Sequence, residues 1–392
     1  MPIEHHGAPI LVLHPDGGEA RQIASWLGSA GLGNIATART CDEALFLLGR
    51  KNALLVIIDE AVPQAAERRL LHHIASFGHA TMPALMRLID THSANPLALG
   101  RAMAAEVVDK PLNCHDVVVR AGSALQRSDL VRRLDQQRDH SAAHLDSARR
   151  MQLGLLPTAE HLALLQAQCA CGIAGFYRPG EVVGGDFWGV WPTGRGKVAV
   201  ALVDFAGHGL SAALNTFRLH AILSEQDLPL GDTVAMTRLL NQRLHTLLQC
   251  GQYATMVYAE IDPLAHSVSW CSAGGPPPLF VSAGGAQDLA GRGLPLGIRP
   301  DAEYACHHVA LPGAGVLCLF TDGLYESGPG ANDIQRADIA AALAVPARLA
   351  REGRLSDATQ QAAAALEALR DRHPCADHSD DVMAACIAIG AA

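Results

Sequence analysis

Short apolar runs at Ile10–Leu13, Leu54–Ile58, Ala84–Leu88 and Glu106–Val108 read as buried strands. Helical spacing lies between them, for example over Glu19–Ala30 and Asp42–Leu48. Alternation of this kind predicts a doubly wound parallel sheet, an architecture whose ligands gather at the carboxyl ends of the strands. Asp59 ends one such strand in LLVIIDEAVP, and Lys110-Pro111 follows another in VVDKPL. From Ser123 to Pro157 the pattern changes. Arg, Gln and Asp dominate, while Leu130, Leu134, Leu145, Ala148 and Leu155 recur at roughly helical spacing. A long exposed helix fits, ended by Pro157. It is either a solvated spacer or a coiled coil that pairs with a second copy along a narrow stripe, weakened by Gln137 and Ser141. Beyond it, Lys197–Val203, Ala254–Ile261, Ser267–Cys271, Gly315–Phe320 and Val382–Ile389 are β-like runs. Ala331–Leu369 reads as helical, with a break at Pro346. The expected organisation is multidomain: an α/β domain over 1–122, a helical linker over 123–157 and a mixed α+β domain over 158–392.

At 392 residues the chain can bury two or three separate cores. Its formal charge of −9 argues against a nucleic-acid partner and leaves room for acidic metal sites. No apolar run approaches the ~18 residues of a membrane helix, and MPIEHHGAPI lacks a signal-peptide pattern. A cytoplasmic location without membrane contact is therefore expected. The ten cysteines are scattered, with Cys169 and Cys171 the only close pair, so they read as reduced residues, mostly of the core.

Candidate chemistry lies in acids that adjoin strands and tight turns: Asp186 in GGDFW, Asp204 in ALVDFAGHG, Asp322 in LFTDGLYES, and Asp380-Asp381 in HSDDVMAACIAI. Glycine beside three of them permits unusual backbone and close ligand approach. Singly, each reads as a turn residue. Converged, they would repel one another unless cations sat among them, and hard divalent ions such as Mg²⁺ or Mn²⁺ take oxygen ligands. Two such ions can activate a shared water and clamp a phosphoryl group. No phosphate-loop cysteine, GxSxG or GxxxxGK[ST] offers another nucleophile. Hydrolysis of a phosphoester is the expected reaction. The GGDF tetrapeptide also invites comparison with the GGDEF signature of nucleotide cyclases, but the following acid is missing and the surrounding pattern differs.

Two resemblances organise these residues. The first ~120 residues resemble the receiver domain of bacterial response regulators. The resemblance implies Asp59 as phospho-acceptor and Lys110 as the receiver lysine. It departs where His14 and Pro15 replace the acids that hold Mg²⁺, with Asp16 one step late, and where Arg87-Leu88-Ile89 replace the switch Ser/Thr. Asp59 therefore reads either as a phospho-acceptor or as a polar strand-end relic in a pseudo-receiver that works by protein contact.

From ARRMQLGLLP onward, the motifs EVVGGDFW, VDFAGHGLSAAL, YATMVYAEID, SAGGPPPLF, GLPLGI, FTDGLYE and SDDV resemble, in order, the metal-dependent Ser/Thr protein phosphatases of the SpoIIE/RsbU branch. That resemblance implies a central β-sandwich flanked by helices and two divalent ions, Mn²⁺ or Mg²⁺. Asp204 would bridge them, the Phe205 carbonyl would bind the second, Asp322 and Asp380 would complete the first, and Asp186 would bind directly or through water. Asp381 is the alternative if the tandem acids register one residue later. Gly207 and Gly209 would let the loop fold, and His208 would be structural or move a proton. Gly275 and Met383 depart from the His and Thr usual in the branch. The implied substrate is a phosphorylated protein, a STAS-type anti-sigma-factor antagonist, with the receiver-like domain setting activity through a linker that forms a homodimer. A non-catalytic scaffold that binds partners through both domains is the alternative.

Overall fold

Every residue of the strand Val382–Ile389 is buried. One apolar face cannot explain that, because successive side chains point to opposite sides of a sheet. Met383, Ala385, Ile387 and Ile389 pack into one core, while Val382, Ala384, Cys386 and Ala388 pack into another. The strand is the middle of a layered domain, covered on both faces. The computed structural model describes residues 9–50, 53–77, 82–90, 106–207, 209–325, 334–372 and 380–391, and the chain divides into two units, 1–143 and 144–392.

In the second unit, β6 (Cys171–Arg178), β11 (Leu279–Ser282), β12 (Gly285–Asp288), β14 (Gly315–Phe320) and β15 (Val382–Ile389) form a sheet in the order β12-β11-β14-β15-β6. A second sheet runs β13-β10-β9-β8-β7, from β7 (Asp186–Gly194), β8 (Lys197–Phe205), β9 (Ala254–Asp262), β10 (Ser267–Ala273) and β13 (His307–Ala310). Neighbours within each sheet are antiparallel. Val198, Val200 and Leu202 of β8 meet Leu317, Leu319 and Ile387 of the other sheet in the central core. The alternate β8 residues Ala199, Ala201, Val203 and Phe205 pack outward beneath the helices Leu210–Leu223 and Thr233–Leu247. Helices Arg336–Arg351 and Leu355–Arg372 cover the outer face of the other sheet. The result is a β-sandwich between two helical layers, the packing expected when strands are apolar on both faces.

One expectation is corrected. Pro346 lies inside the helix Arg336–Arg351 and does not break it; the interruption falls at residues 352–354. Ile339, Leu343, Pro346, Ala347 and Ala350 form one buried helical face that runs through the proline. Burial of that face outweighs the one backbone hydrogen bond that proline removes.

The first unit holds a parallel sheet, β2-β1-β3-β4-β5, built from β1 (Ile10–Leu13), β2 (Ile35–Ala38), β3 (Leu55–Asp59), β4 (Ala84–Ile89) and β5 (Glu106–Asp109). Ile10, Val12, Leu55 and Ile57 face one core, and Leu11, Leu13, Val56 and Ile58 the other. Helices Gly17–Ser29 and Cys114–Leu153 contribute to the first core, and Cys41–Arg50 and Gln64–Ala75 to the second. The helix Cys114–Leu153 continues without interruption across the division at residue 143. Among the described residues, no helix is long and apolar enough to cross a membrane.

Candidate metal centre

β7 and β8 lie side by side, and their register sets Asp186 directly opposite Asp204. Asp186 opens its strand and Asp204 stands one residue before the end of its own, so both acids occupy one edge of the sandwich. The Thr321 hydroxyl donates to Asp186 Oδ2 at 2.8 Å and accepts the backbone N–H of Met383 at 3.0 Å. The other oxygen, Asp186 Oδ1, is buried with no hydrogen-bond donor.

Burial is the main force on the proton affinity of Asp186 and lifts it well above the usual carboxylate range. The charges of Asp204 and Asp381 push the same way, and the Thr321 hydroxyl opposes them. Burial likewise pushes Asp204 up to about 7, aided by the charges of Asp322, Asp380 and Asp381. Asp186 and Asp204, opposite each other in the strand register, lie close enough to act on each other's proton affinity. Like charges at such neighbouring positions disfavour joint ionisation unless a cation lies beside them.

Asp381 is engaged elsewhere. Its Oδ1 accepts the Gly180 N–H at 2.8 Å, and its Oδ2 accepts the Gly185 N–H. These donors pull its proton affinity down against a larger upward push from burial. The clamp accounts for the paired glycines. A Cβ at Gly184 would lie 2.1 Å from the Asp381 carboxylate oxygens, and one at Gly185 would lie 2.8 Å from the Phe205 carbonyl oxygen. Only a chain without side chains can thread between those groups. Asp380 is exposed, and its Oδ1 accepts the Asp381 N–H at 2.9 Å. Asp322 begins a single 3-10 turn, Asp322–Leu324, separated by one residue from the end of β14. Gly207 and Gly209 both have positive φ, 95° and 75°, in the loop that leaves Asp204. His208 lies outside the described residues.

Among the described residues, no group of three or more His, Cys, Asp or Glu side chains is placed to hold a metal ion. The assembled part is the Asp186–Asp204 pair, on which the remaining acids act through their charge. In donor chemistry the set fits a hard divalent cation: every candidate ligand is oxygen, and Asp186 Oδ1 lacks any other partner.

Two contributors were not singled out by sequence reasoning. Thr321 stands immediately before Asp322 in FTDG, a hydroxyl closing an apolar strand. Gln152 falls on the stripe traced by Leu145, Ala148 and Leu155, a polar residue where an apolar one was due. Its side chain bonds both backbone groups of Gly184. A Cβ at Gly275, where the resemblance led one to expect His, would lie 3.0 Å from Met256 and Val257 atoms.

In the first unit, Asp59 is fully buried at the carboxyl end of β3. Lys110 Nζ lies 2.8 Å and His14 Nε2 3.3 Å from its Oδ2, and Ala61 N–H donates to Oδ1 at 2.9 Å. Asp16 instead caps the helix Gly17–Ser29, and the N–H groups of Gly18 and Glu19 hold its carboxyl below the usual range. Arg87 pairs with Glu67 at 2.9 Å, both side chains buried.

The sequence model of Stage II sporulation protein E (SpoIIE) matches residues 194–389, half of the chain. The chain belongs to the SpoIIE family. Asp204, Asp322, Asp380 and Asp381 fall inside the SpoIIE match, and Asp186 lies just before it. Phosphoserine phosphatase RsbP of Bacillus subtilis (strain 168) is 29% identical over 159 residues, covering 39% of this chain and 40% of that protein. Phosphoserine phosphatase RsbU of the same organism is 24% identical over 227 residues, 57% of this chain and 65% of that protein. The chain thus spans less than two thirds of either relative. The solved SiaA-PP2C domain of Pseudomonas aeruginosa superposes with a TM-score of 0.52 at 23% identity, covering 64% of this chain and 98% of that one. The SpoIIE-family unit therefore has a PP2C-type fold.

Proposed function

We propose that the chain is a metal-dependent protein phosphatase that hydrolyses phosphoserine or phosphothreonine on a partner protein. One observation carries the reading: buried Asp186 and half-buried Asp204 face each other at the sandwich edge, and the charges of Asp322, Asp380 and Asp381 converge on them. Asp204 would bridge two divalent ions, Mn²⁺ or Mg²⁺, with Asp186, Asp322, Asp380 and the Phe205 carbonyl as the other ligands and Asp381 as clamp or alternate ligand. Such ions, when bound, lower the pKa of water and neutralise phosphoryl oxygens. The protein's own share is to fix the acids: Thr321 orients Asp186 and favours its ionised form, and Asp381 holds the Gly184-Gly185 turn. The names of RsbP and RsbU as phosphoserine phosphatases support the reaction class.

A STAS-type anti-sigma-factor antagonist is the proposed substrate, since removing a phosphate of nearly two negative charges would restore its binding surface. The α/β unit would act as a receiver-like regulator in the cytoplasm, with the helix Cys114–Leu153 pairing in a homodimer. The scaffold alternative is favoured by one finding, the lack of a closed three-ligand cluster among the described residues. Mn²⁺-dependent hydrolysis of an aryl phosphate and of a phosphoserine peptide separates the two, with Asp204→Ala as control. Turnover that needs Mn²⁺ and Asp204 supports the phosphatase; none under any divalent ion supports the scaffold.

A further inference from the structure

Between Gln126 and Leu153 the long helix buries a single residue, and that residue is polar. Gln152 is 2% exposed, whereas its apolar neighbours Met151 and Leu153 are 63% and 43% exposed. Hydrophobic burial would produce the reverse order. A buried amide must instead be accounted for by its hydrogen bonds, and all of its heteroatoms are used. Nε2 donates to the Gly184 carbonyl at 2.6 Å and to Thr216 Oγ1 at 3.2 Å, while Oε1 accepts the Gly184 N–H at 3.2 Å.

These partners belong to the two segments that carry the facing acids. Gly184 is two residues before Asp186. Thr216 lies on the helix Leu210–Leu223, which follows the loop leaving Asp204, and its hydroxyl donates in turn to the Ala213 carbonyl at 2.7 Å. On the opposite side of the glycine pair the Asp381 carboxylate takes the Gly185 N–H. The Gly184-Gly185 turn is thus held between an amide and a carboxylate, with no side chain of its own to resist displacement.

We propose that Gln152 is a positioning residue that holds the Asp186 turn and the helix after Asp204 in register with the last turn of the long helix. The proposal rests on the phosphatase reading for its consequence, since a displaced Asp186 weakens the metal site rather than the fold. Loss of an outer hydrogen-bonding partner of a metal ligand typically lowers metal affinity ~10–100-fold.

The test uses the full chain with Gln152→Leu and Gln152→Glu. The second variant conserves volume and one acceptor but loses the donor to Gly184 and Thr216, so it decides the matter if Gln152→Leu does not fold. Three readouts are taken: Mn²⁺ affinity by calorimetry, amide hydrogen exchange over residues 184–186, and hydrolysis of an aryl phosphate. Expected are a Mn²⁺ affinity lowered about 10–100-fold, faster exchange at 184–186, and unchanged exchange over β15. Wild-type Mn²⁺ affinity with wild-type exchange at 184–186 in the folded variant would overturn the proposal. So would faster exchange spread evenly over the whole unit, which marks a purely structural role. Should the wild-type chain bind no Mn²⁺ at all, the phosphatase reading fails by itself, and the exchange pattern at 184–186 still decides whether Gln152 holds the turn.

Discussion

The hydroxyl of Thr321 reaches Asp186 Oδ2 across 2.8 Å, joining the end of β14 in one sheet to the start of β7 in the other. Because the same hydroxyl accepts the Met383 N–H, one side chain fixes the acid, the strand end and the neighbouring strand. Thr321→Val keeps the shape but leaves a buried N–H and a carboxyl oxygen without partners. A loss of ~2 kcal/mol follows, from the usual cost of an unsatisfied buried group. Thr321→Ser should retain most of the stability. Denaturant unfolding of the three proteins checks this, and equal stability of Val and wild type would show that the bond contributes nothing.

Asp204 should behave oppositely in stability and in turnover. Removing its charge relieves a crowded set of acids, in which Asp204 raises the proton affinity of Asp186 while Asp322, Asp380 and Asp381 raise that of Asp204. In chelator, Asp204→Asn is therefore expected to melt higher than wild type. With Mn²⁺ present, the proposed bridging role of Asp204 predicts a loss of catalysis on the order of 10²-fold or more. A variant that melts lower in chelator would refute the electrostatic reading of the pair.

The pH dependence of the metal-free protein follows from the same residues. Burial and the neighbouring acids push Asp204 up to about 7 in the folded chain, against its ordinary value of 3.8 when unfolded. As pH rises from about 4 to 7 the unfolded chain releases this proton while the folded chain keeps it, so stability falls across that window. Asp186 and Asp381, whose affinities are also raised, act in the same direction. Melting in chelator between pH 4 and 8 should show this decline, and Mn²⁺ should flatten it. Stability that increases steadily up to pH 7 would contradict the shift.

The legible parts of the sequence were those where a local pattern and a buried environment agree. Val382–Ile389 is apolar without alternation because it has a core on each face, and the run marks the strand directly. The acids were visible because each adjoins a glycine or a strand end. What stayed hidden depends on register between distant segments. Nothing local says that Asp186 faces Asp204, that Thr321 serves Asp186, or that Gln152 turns inward to Gly184. Pro346 misled for the same reason: its local cost is evident, whereas the buried face that outweighs it belongs to tertiary packing.

Asp59 gives the last prediction. Its Oδ2 already lies near two basic groups, Lys110 Nζ and His14 Nε2, and its Oδ1 accepts the Ala61 N–H. Asp16, the nearest acid after β1, is committed to capping a helix. Mg²⁺ prefers six oxygens in octahedral order and would have to displace both Lys110 and His14, whose Nε2 lies 2.9 Å from Glu19 as well as 3.3 Å from Asp59. Small phosphodonors such as acetyl phosphate should therefore label Asp59 poorly, with or without Mg²⁺. Lys110→Ala leaves a buried carboxyl short of its main partner, and a loss of up to about 3 kcal/mol is expected, tempered by the partial exposure of the lysine. Mass spectrometry after phosphodonor treatment measures the first outcome and thermal melting the second. Stoichiometric, Mg²⁺-dependent labelling that disappears in Asp59→Asn would show instead that the basic groups yield to the metal.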